Sequence, residues 1–344
     1  MSHHEEPPLV STIDSPTPTP RADAPLQRRR TRKHQDTEQG FSRVFRWIST
    51  AAGVVLLAAL AAVAIFLLLR SWAALTASSS ELVDQHVLPN GVDSLAAYVA
   101  PLIFGTLLAA ALALLIATPV AVGIALFVSH YAPRRVAGVV GFVVDLLAAI
   151  PSVVFGLWGA KTLSPIIAPL WQKVAALISL IPGVEVQATP TGRSLATTSL
   201  VLAIMILPII TAVSREVFKQ TPRLHEEAAL ALGATRWEVV RTAVLPFGRS
   251  GVISAAMLGL GRALGETMAV LMILSPGLGY SFNIFGAGLH QTIAANIAAK
   301  FPESSGLAVN TLIATGLALF VITMAVNMLA RWIVGRRKEF SGAN

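Results

Sequence analysis

Six apolar runs follow one another along this chain, and each is long enough to cross a bilayer core, which takes about 20 residues at 1.5 Å of rise per residue. They fall at about 47–70, 101–129, 136–160, 194–214, 251–275 and 304–332. The first lies between Arg46 and Arg70 with no charged residue inside it, and 304–330 has none either. The pattern predicts an all-α membrane protein with six transmembrane helices, because a helix satisfies its own backbone hydrogen bonds in lipid. A shorter run, 170–181, is fenced by Pro169 and Pro182; it is too short to span and predicts an interfacial helix. Pro119, Pro151 and Pro208 fall within runs and predict bends there.

The polar stretches complete the organisation. Residues 1–42 are rich in Pro, Ser, Thr and charge without apolar period, which predicts a disordered basic tail ahead of a membrane domain over 43–338 and a short tail over 339–344. The first apolar run comes too late and is too long for a cleaved signal. Basic residues cluster in the N-terminal tail, at Arg134 and Arg135, over 215–249 and at Arg336, Arg337 and Lys338. With six spans these regions share one side, and the positive-inside bias makes that side, with both termini, cytoplasmic. The net charge of +8 is therefore orientation, and a nucleic-acid partner is not expected.

Composition removes several chemistries. Hydrophobic residues make up 54% of the chain and charged residues 13%, and the mean hydropathy is +0.69, far from the mix of soluble domains. There is no cysteine, so disulfides, thiolate metal sites and cysteine nucleophiles are excluded. No G-x-x-x-x-G-K-[ST] occurs, so the chain does not hydrolyse nucleotide by a P-loop; H-E-x-x-H and G-x-S-x-G are absent too. Gly259 and Gly261 begin a dinucleotide-like spacing, but Leu264 takes the third glycine's place. The chain is expected to carry no catalytic residue, metal or cofactor of its own.

Charge inside the apolar runs is the more telling signal. Arg262 and Glu266 lie four residues apart in the fifth run, which places them one turn apart on one helical face. Each such charge costs roughly 2.5–3.5 kcal/mol to insert at a helix centre, so neither is expected to face lipid. The planar guanidinium fork matches the oxygens of an oxyanion and stays ionised. Glu266 would offset Arg262 when no anion is bound; an internal salt bridge that only locks the helix is the other reading. Asp145, in the third run, is expected to pair with Arg262 or with a group at a subunit interface. Glycines such as Gly259, Gly261 and Gly265 favour close helix packing nearby, and a lone His290 between the last two runs is expected to be structural.

Between the fourth and fifth runs, residues 221–246 predict a helical hairpin. Thr221 and Pro222 make an N-cap and first turn, 223–232 is a short helix, and Gly233 is its stop. Thr235 and Glu238 form a capping box for a second helix, which Pro246 ends. Ala228, Ala229, Ala231 and Gly233 carry little bulk, so a partner backbone can come close, and Glu227 can accept from a partner arginine.

Glu227-Ala228-Ala229, then Gly233 after three residues, then Leu245-Pro246 resemble the EAA motif of ABC importer permeases, with Ala243 where isoleucine is usual. The run from Gly261 to Val270, GRALGETMAV, and the upstream LAAIPSVVFGLWG from Leu147 are similar to the PstC-type permease of the phosphate importer. Sulfate and molybdate permeases share the Arg-Ala-Leu-Gly-Glu core but usually follow it with Phe-Gly. The resemblance covers about 44–338. It implies a type I ABC importer permease fold in the plasma (inner) membrane. It implies an ATPase-coupling surface at Glu227, Ala228, Ala229, Gly233, Leu245 and Pro246, and a translocation path at Arg262, Glu266 and Thr267. It implies as partners a paralogous PstA-type permease, an ATPase homodimer that binds ATP and Mg, and an extracytoplasmic phosphate-binding protein. Permeation of another oxyanion, or a stand-alone secondary transporter, remain the alternatives.

Overall fold

The computed structural model describes residues 25–338 apart from His86 and Val184, and the chain divides into two compact units, 1–62 and 63–344. In the first, helix α1 (Pro25–Thr76) is already under way at Pro25. The tail expected to be disordered through residue 42 lies outside the described residues as far as residue 24; from 25 onward it is helical. Its Gln, Arg, Lys and Glu are good helix formers, and extending an existing helix costs far less than starting one. Every side chain from Val44 to Ala62 is exposed, as suits a segment whose apolar surface faces lipid.

The second unit holds the end of α1 and twelve further helices among the described residues: α2 (Ser79–Asp84), α3 (Leu95–Leu126), α4 (Arg134–Ala148), α5 (Ser152–Trp158), α6 (Ser164–Ile178), α7 (Leu195–Lys219), α8 (Arg223–Ala231), α9 (Arg236–Val239), α10 (Leu245–Leu264), α11 (Met268–Ile273), α12 (Ile293–Lys300) and α13 (Leu307–Lys338). Wide π turns prolong α3 (Phe127–Tyr131), join α5 to α6 (Gly159–Leu163) and join α9 to α10 (Val240–Val244). Among the described residues, six helical segments are long and apolar enough to cross a membrane: Val44–Thr76, Leu95–Tyr131, Ser152–Ile178, Leu195–Lys219, Arg236–Leu264 and Leu307–Trp332.

The number of spans agrees with the apolar runs, but two spans move. The third runs over Ser152–Ile178 rather than 136–160. Pro151 supplies no N–H and biases Ile150 away from helix, so the chain turns there and α4 stops at Ala148. At 15 residues α4 is about 22 Å long, too short to cross. Residues 170–178, expected to form an interfacial helix, are instead the end of this third span. Pro169 does not stop α6, whereas Pro119 and Pro208 lie inside α3 and α7 without breaking them. The fifth span runs over Arg236–Leu264 rather than 251–275, because Gly265 closes α10.

At the centre α3 packs along α7, which packs in turn along α10. Ala109, Ala113, Ala117, Ala121 and Ala125 recur every fourth residue of α3 and are all buried. Such a stripe lets helix axes approach closely in a membrane, where dispersion rather than solvent exclusion drives association. Gly259 serves the same end on α10: a Cβ there would lie 2.8 Å from Ile210 Cδ1 of α7. Gly261 has open space around its Cα, so close packing does not explain it. Ala117→Leu forces extra bulk into a fully buried contact. It is expected to cost about 1–3 kcal/mol, read as a lower unfolding midpoint of the purified protein, whereas Leu115→Ala, at a position 72% exposed, leaves the midpoint unchanged.

The connection between α11 and α12 is irregular but well tied. Gly277 N–H donates to the His290 carbonyl (3.0 Å) and Gly279 N–H to the Leu289 carbonyl (3.0 Å). His290 is buried, bonds through Nε2 to the Ser281 carbonyl (2.6 Å) and stacks on Phe104. Its position is structural, as a lone histidine in a connection suggests.

Candidate functional site

Two regions hold the residues singled out by sequence. The first is the hairpin. Pro222, not Thr221, stands at the N-cap position of α8, without a side-chain cap bond. Thr221 is instead buried beneath it, because Pro222 fixes its own extended backbone there. Gly233 has φ +83°, a conformation that favours glycine; its N–H donates to the Leu230 carbonyl (2.9 Å) and Ala234 N–H to the Ala229 carbonyl (3.2 Å), closing α8 as expected. The capping box is present. Glu238 Oε2 accepts from Thr235 N–H at 2.7 Å, and Glu238 N–H donates to Thr235 Oγ1 at 3.4 Å.

Pro246 does not end the second helix. It lies in the first turn of α10, where a missing N–H is tolerated, and the π turn at Val240–Val244 carries α9 straight into α10. The hairpin and the fifth span are thus one rod from Arg236 to Leu264, about 43 Å long at 1.5 Å per residue. Val240 and Val244 anchor its base against Ala125, Leu126 and Phe218. Leu245 is half-buried and Pro246 exposed.

The outer surface of the hairpin is bare. Glu227 and Ala228 are exposed and Ala229 half-buried; Leu224, Leu230, Leu232 and Trp237 are exposed by 75, 51, 90 and 56%. These four exposed apolar side chains on a polar turn are available to a partner surface. The neighbouring carboxylate is differently placed. Glu226 Oε1 lies 3.6 Å from His130 Nε2, which ties α8 to the turn after α3 and leaves Glu227 free for a partner.

The second region is the broken fifth span. The i, i+4 pairing of Arg262 with Glu266 is not formed. α10 ends at Leu264 with Gly265 as its C-cap, so the two residues do not share a helical face. Glu266 is buried at 8% exposure and accepts through Oε1 from Ala269 N–H at 3.1 Å, capping the amino end of α11, where a carboxylate is favoured. Arg193, which sequence reading passed over, caps the other end: its Nη2 donates to the Met272 carbonyl at 2.9 Å and its Nε to the Ile273 carbonyl at 3.3 Å. The six-residue helix is clamped by a charge of the favourable sign at each end. Arg193→Gln is expected to cost about 1–2 kcal/mol at this helix, the scale of a charged hydrogen bond, read as faster amide exchange over 268–273 with slower exchange elsewhere untouched.

Arg262 points elsewhere. It lines a cavity of about 950 Å³ formed by α7, α10 and α13, together with Ser254, Asn327 and Arg331 and an otherwise apolar wall that includes Ile253 and Met257. Among the described residues no carboxylate lies within ion-pair distance of it. Thr267 is half-buried and faces a different cavity of about 490 Å³, lined by Gly265 and by α12 and α13 residues. Asp145 is exposed and does not pair with Arg262; within the chain its Oδ2 lies 3.9 Å from Arg215 Nη2, with Gly141 leaving room for that guanidinium. Arg331 was legible as a polar position in an apolar run, sharing an i, i+4 face with Asn327, and Arg215 as the first residue past the fourth run, but neither carries a motif. Among the described residues no cluster of three or more His, Asp or Glu side chains could hold a metal ion.

Comparison with known proteins follows this geometry. Residues 117–339 match the family described as binding-protein-dependent transport system inner membrane component. "Phosphate transport system permease protein PstC 2" of Mycobacterium tuberculosis is 46% identical over 302 residues, covering 85% of this chain and 91% of that protein. "Phosphate transport system permease protein PstC" of Mesorhizobium japonicum is 38% identical over 304 residues, covering 87% and 92%. In fold, the chain is similar to inward-facing MetNI methionine ABC transporter (TM-score 0.50, 16% identity, 70% of this chain and 95% of that one). It is also similar to a bacterial ABC transporter for the import of alginate (TM-score 0.50, 19% identity, 69% and 79%).

Proposed function

Because the chain belongs to the family of binding-protein-dependent transport system inner membrane components, we propose that it is the phosphate-translocating permease of an ATP-driven importer. The observation that carries the substrate is Arg262, an unpaired guanidinium in an apolar-walled cavity, within a sequence 46% identical to a phosphate permease. An oxyanion entering that cavity gains a bidentate, charge-assisted contact with the guanidinium fork. Thr267 and Glu266 belong to the same path in this reading, Glu266 by fixing α11 rather than by touching the ion.

The energy comes from outside the chain. ATP and Mg bind to a separate ATPase homodimer, which docks on Glu227, Ala228, Ala229 and Gly233 of the hairpin. Closure of the ATPases displaces the Arg236–Leu264 rod as a unit and so alters access to Arg262. A paralogous PstA-type permease completes the path, and an extracytoplasmic binding protein delivers phosphate to its outer mouth. The distribution of Lys and Arg supports cytoplasmic termini and hairpin in the plasma (inner) membrane.

Radiolabelled phosphate uptake tests this directly, in cells lacking their own high-affinity importer and co-expressing the chain with its genomic neighbours. Uptake that withstands excess sulfate and molybdate and stops on ATP depletion is the expected result. Competition by either anion moves the substrate to another oxyanion, and uptake that follows an ion gradient without ATP makes this a secondary transporter.

A further inference from the structure

We propose that Arg331 of α13 joins Arg262 of α10 in a seat for a phosphoryl oxyanion in the cavity between these helices. Arg331 belongs to none of the motifs discussed above. The two guanidiniums line one cavity of about 950 Å³, in which Ser254 and Asn327 are the other polar lining groups and no Asp or Glu takes part. Among the described residues neither arginine has a carboxylate within ion-pair distance. Arg262 is half-buried and Arg331 exposed beside Ile209, Ile253, Met257 and Leu258, and an anion shared by two like charges turns their mutual repulsion into two attractions.

The spacing explains the convergence. Ser254, Leu258 and Arg262 follow one another at i, i+4 along α10, as do Asn327, Arg331 and Gly335 along α13, and all six line the cavity. Each helix thus presents one stripe on which its arginine is accompanied by a neutral hydrogen-bonding group. Ser254 donates its hydroxyl to the Ser250 carbonyl (2.9 Å), which leaves its oxygen lone pairs; the Asn327 amide offers two donors. The donor set of two forks and an amide suits tetrahedral oxygens. A volume at the upper end of the roughly 300–1,000 Å³ of ligand pockets leaves space around a single phosphate. Two sources share this chemistry: free inorganic phosphate, in which case the inference rests on the permease reading above, and the headgroup of an anionic phospholipid with its chains along the apolar wall.

The test uses the assembled transporter, with partner permease and ATPase, in phosphatidylcholine nanodiscs. Phenylglyoxal labels accessible guanidiniums, and peptide mass spectrometry reads the rate at Arg331 and Arg262 separately. With inorganic phosphate about tenfold above its dissociation constant, labelling of both slows roughly tenfold, because the rate follows the unoccupied fraction. Arg262→Gln weakens the protection of Arg331, as sharing one ligand requires. Protection by phosphate in neutral lipid assigns the free ion; protection given by phosphatidylglycerol alone assigns the headgroup. Labelling that neither affects, or an Arg331 that never reacts, overturns the seat. Uptake measured on the same complex separates the two readings. Phosphate uptake with Arg331 unprotected sinks this inference alone, and protection without uptake keeps the seat and removes the permease reading.

Discussion

Arg262→Gln is expected to lower phosphate uptake by the assembled importer at least tenfold while leaving its membrane insertion and its ATPase association intact. The side chain is half-buried, lines a cavity and holds no partner in the fold, so its removal leaves no orphaned carboxylate behind and little reason for misfolding. What is lost is a charge-assisted contact made to the ion. One such contact is worth about 1.5–3 kcal/mol, or roughly 10- to 150-fold. Initial rates of radiolabelled uptake check it, with the amount of assembled complex measured in parallel. Arg262→Lys should fall between the two, since an ammonium keeps the charge but loses the fork. Uptake within a few-fold of the native rate would place the ion elsewhere and leave Arg262 without a role in the path.

The second large effect lies on α8, in the hairpin that leads into the same rod. Glu227→Arg is expected to abolish association with the ATPase subunit while the permease still inserts and folds. Glu227 is exposed, so reversal disturbs nothing inside the chain, but it sets a cation against the basic partner that an accessible carboxylate selects. Like-charge juxtaposition at an interface costs several kcal/mol, enough for a loss on the order of a hundredfold or more in affinity. Co-purification with the ATPase subunit reads it, and Glu226→Arg is the informative companion. Glu226 is engaged with His130 at 3.6 Å, so its reversal should loosen the hairpin from the turn after α3 but retain most of the docking. If Glu226→Arg breaks association and Glu227→Arg does not, the roles of the two carboxylates are exchanged.

Sequence was informative where one residue's preference decides the outcome. Gly233 at positive φ, the Thr235–Glu238 box and the count of six spans follow from rules that act over a few residues. It misled where apolar content runs across a break. Hydropathy reads 136–160 as one segment, although Pro151 divides it and the continuation of the span lies beyond Trp158. Gly265 does the same to the fifth run: Arg262 and Glu266 keep the spacing of a pair, but the helix that would make them neighbours ends between them. Pro246 shows the opposite failure, since a proline in the first turn of α10 continues a rod that its chemistry taken alone would end. Arg193, Arg215 and Arg331 find their partners or cavities through contacts distant in sequence, which spacing cannot register.

The π turn at Val240–Val244 sets the azimuth of everything beyond it. A wide turn accommodates one residue more than an α turn, so its presence offsets the angular phase of α10 relative to the hairpin by about 100°, the rotation per residue of an α-helix. Deleting the exposed Arg241 removes that extra residue, so the turn can relax to α geometry with Arg262 kept on the α13-facing side; closing the turn to α geometry at unchanged length would swing Arg262 off it. The bearing of Arg262 is thus kept by the count of residues between Arg236 and Leu264 together with this one wide turn, which can take up the loss of a single residue.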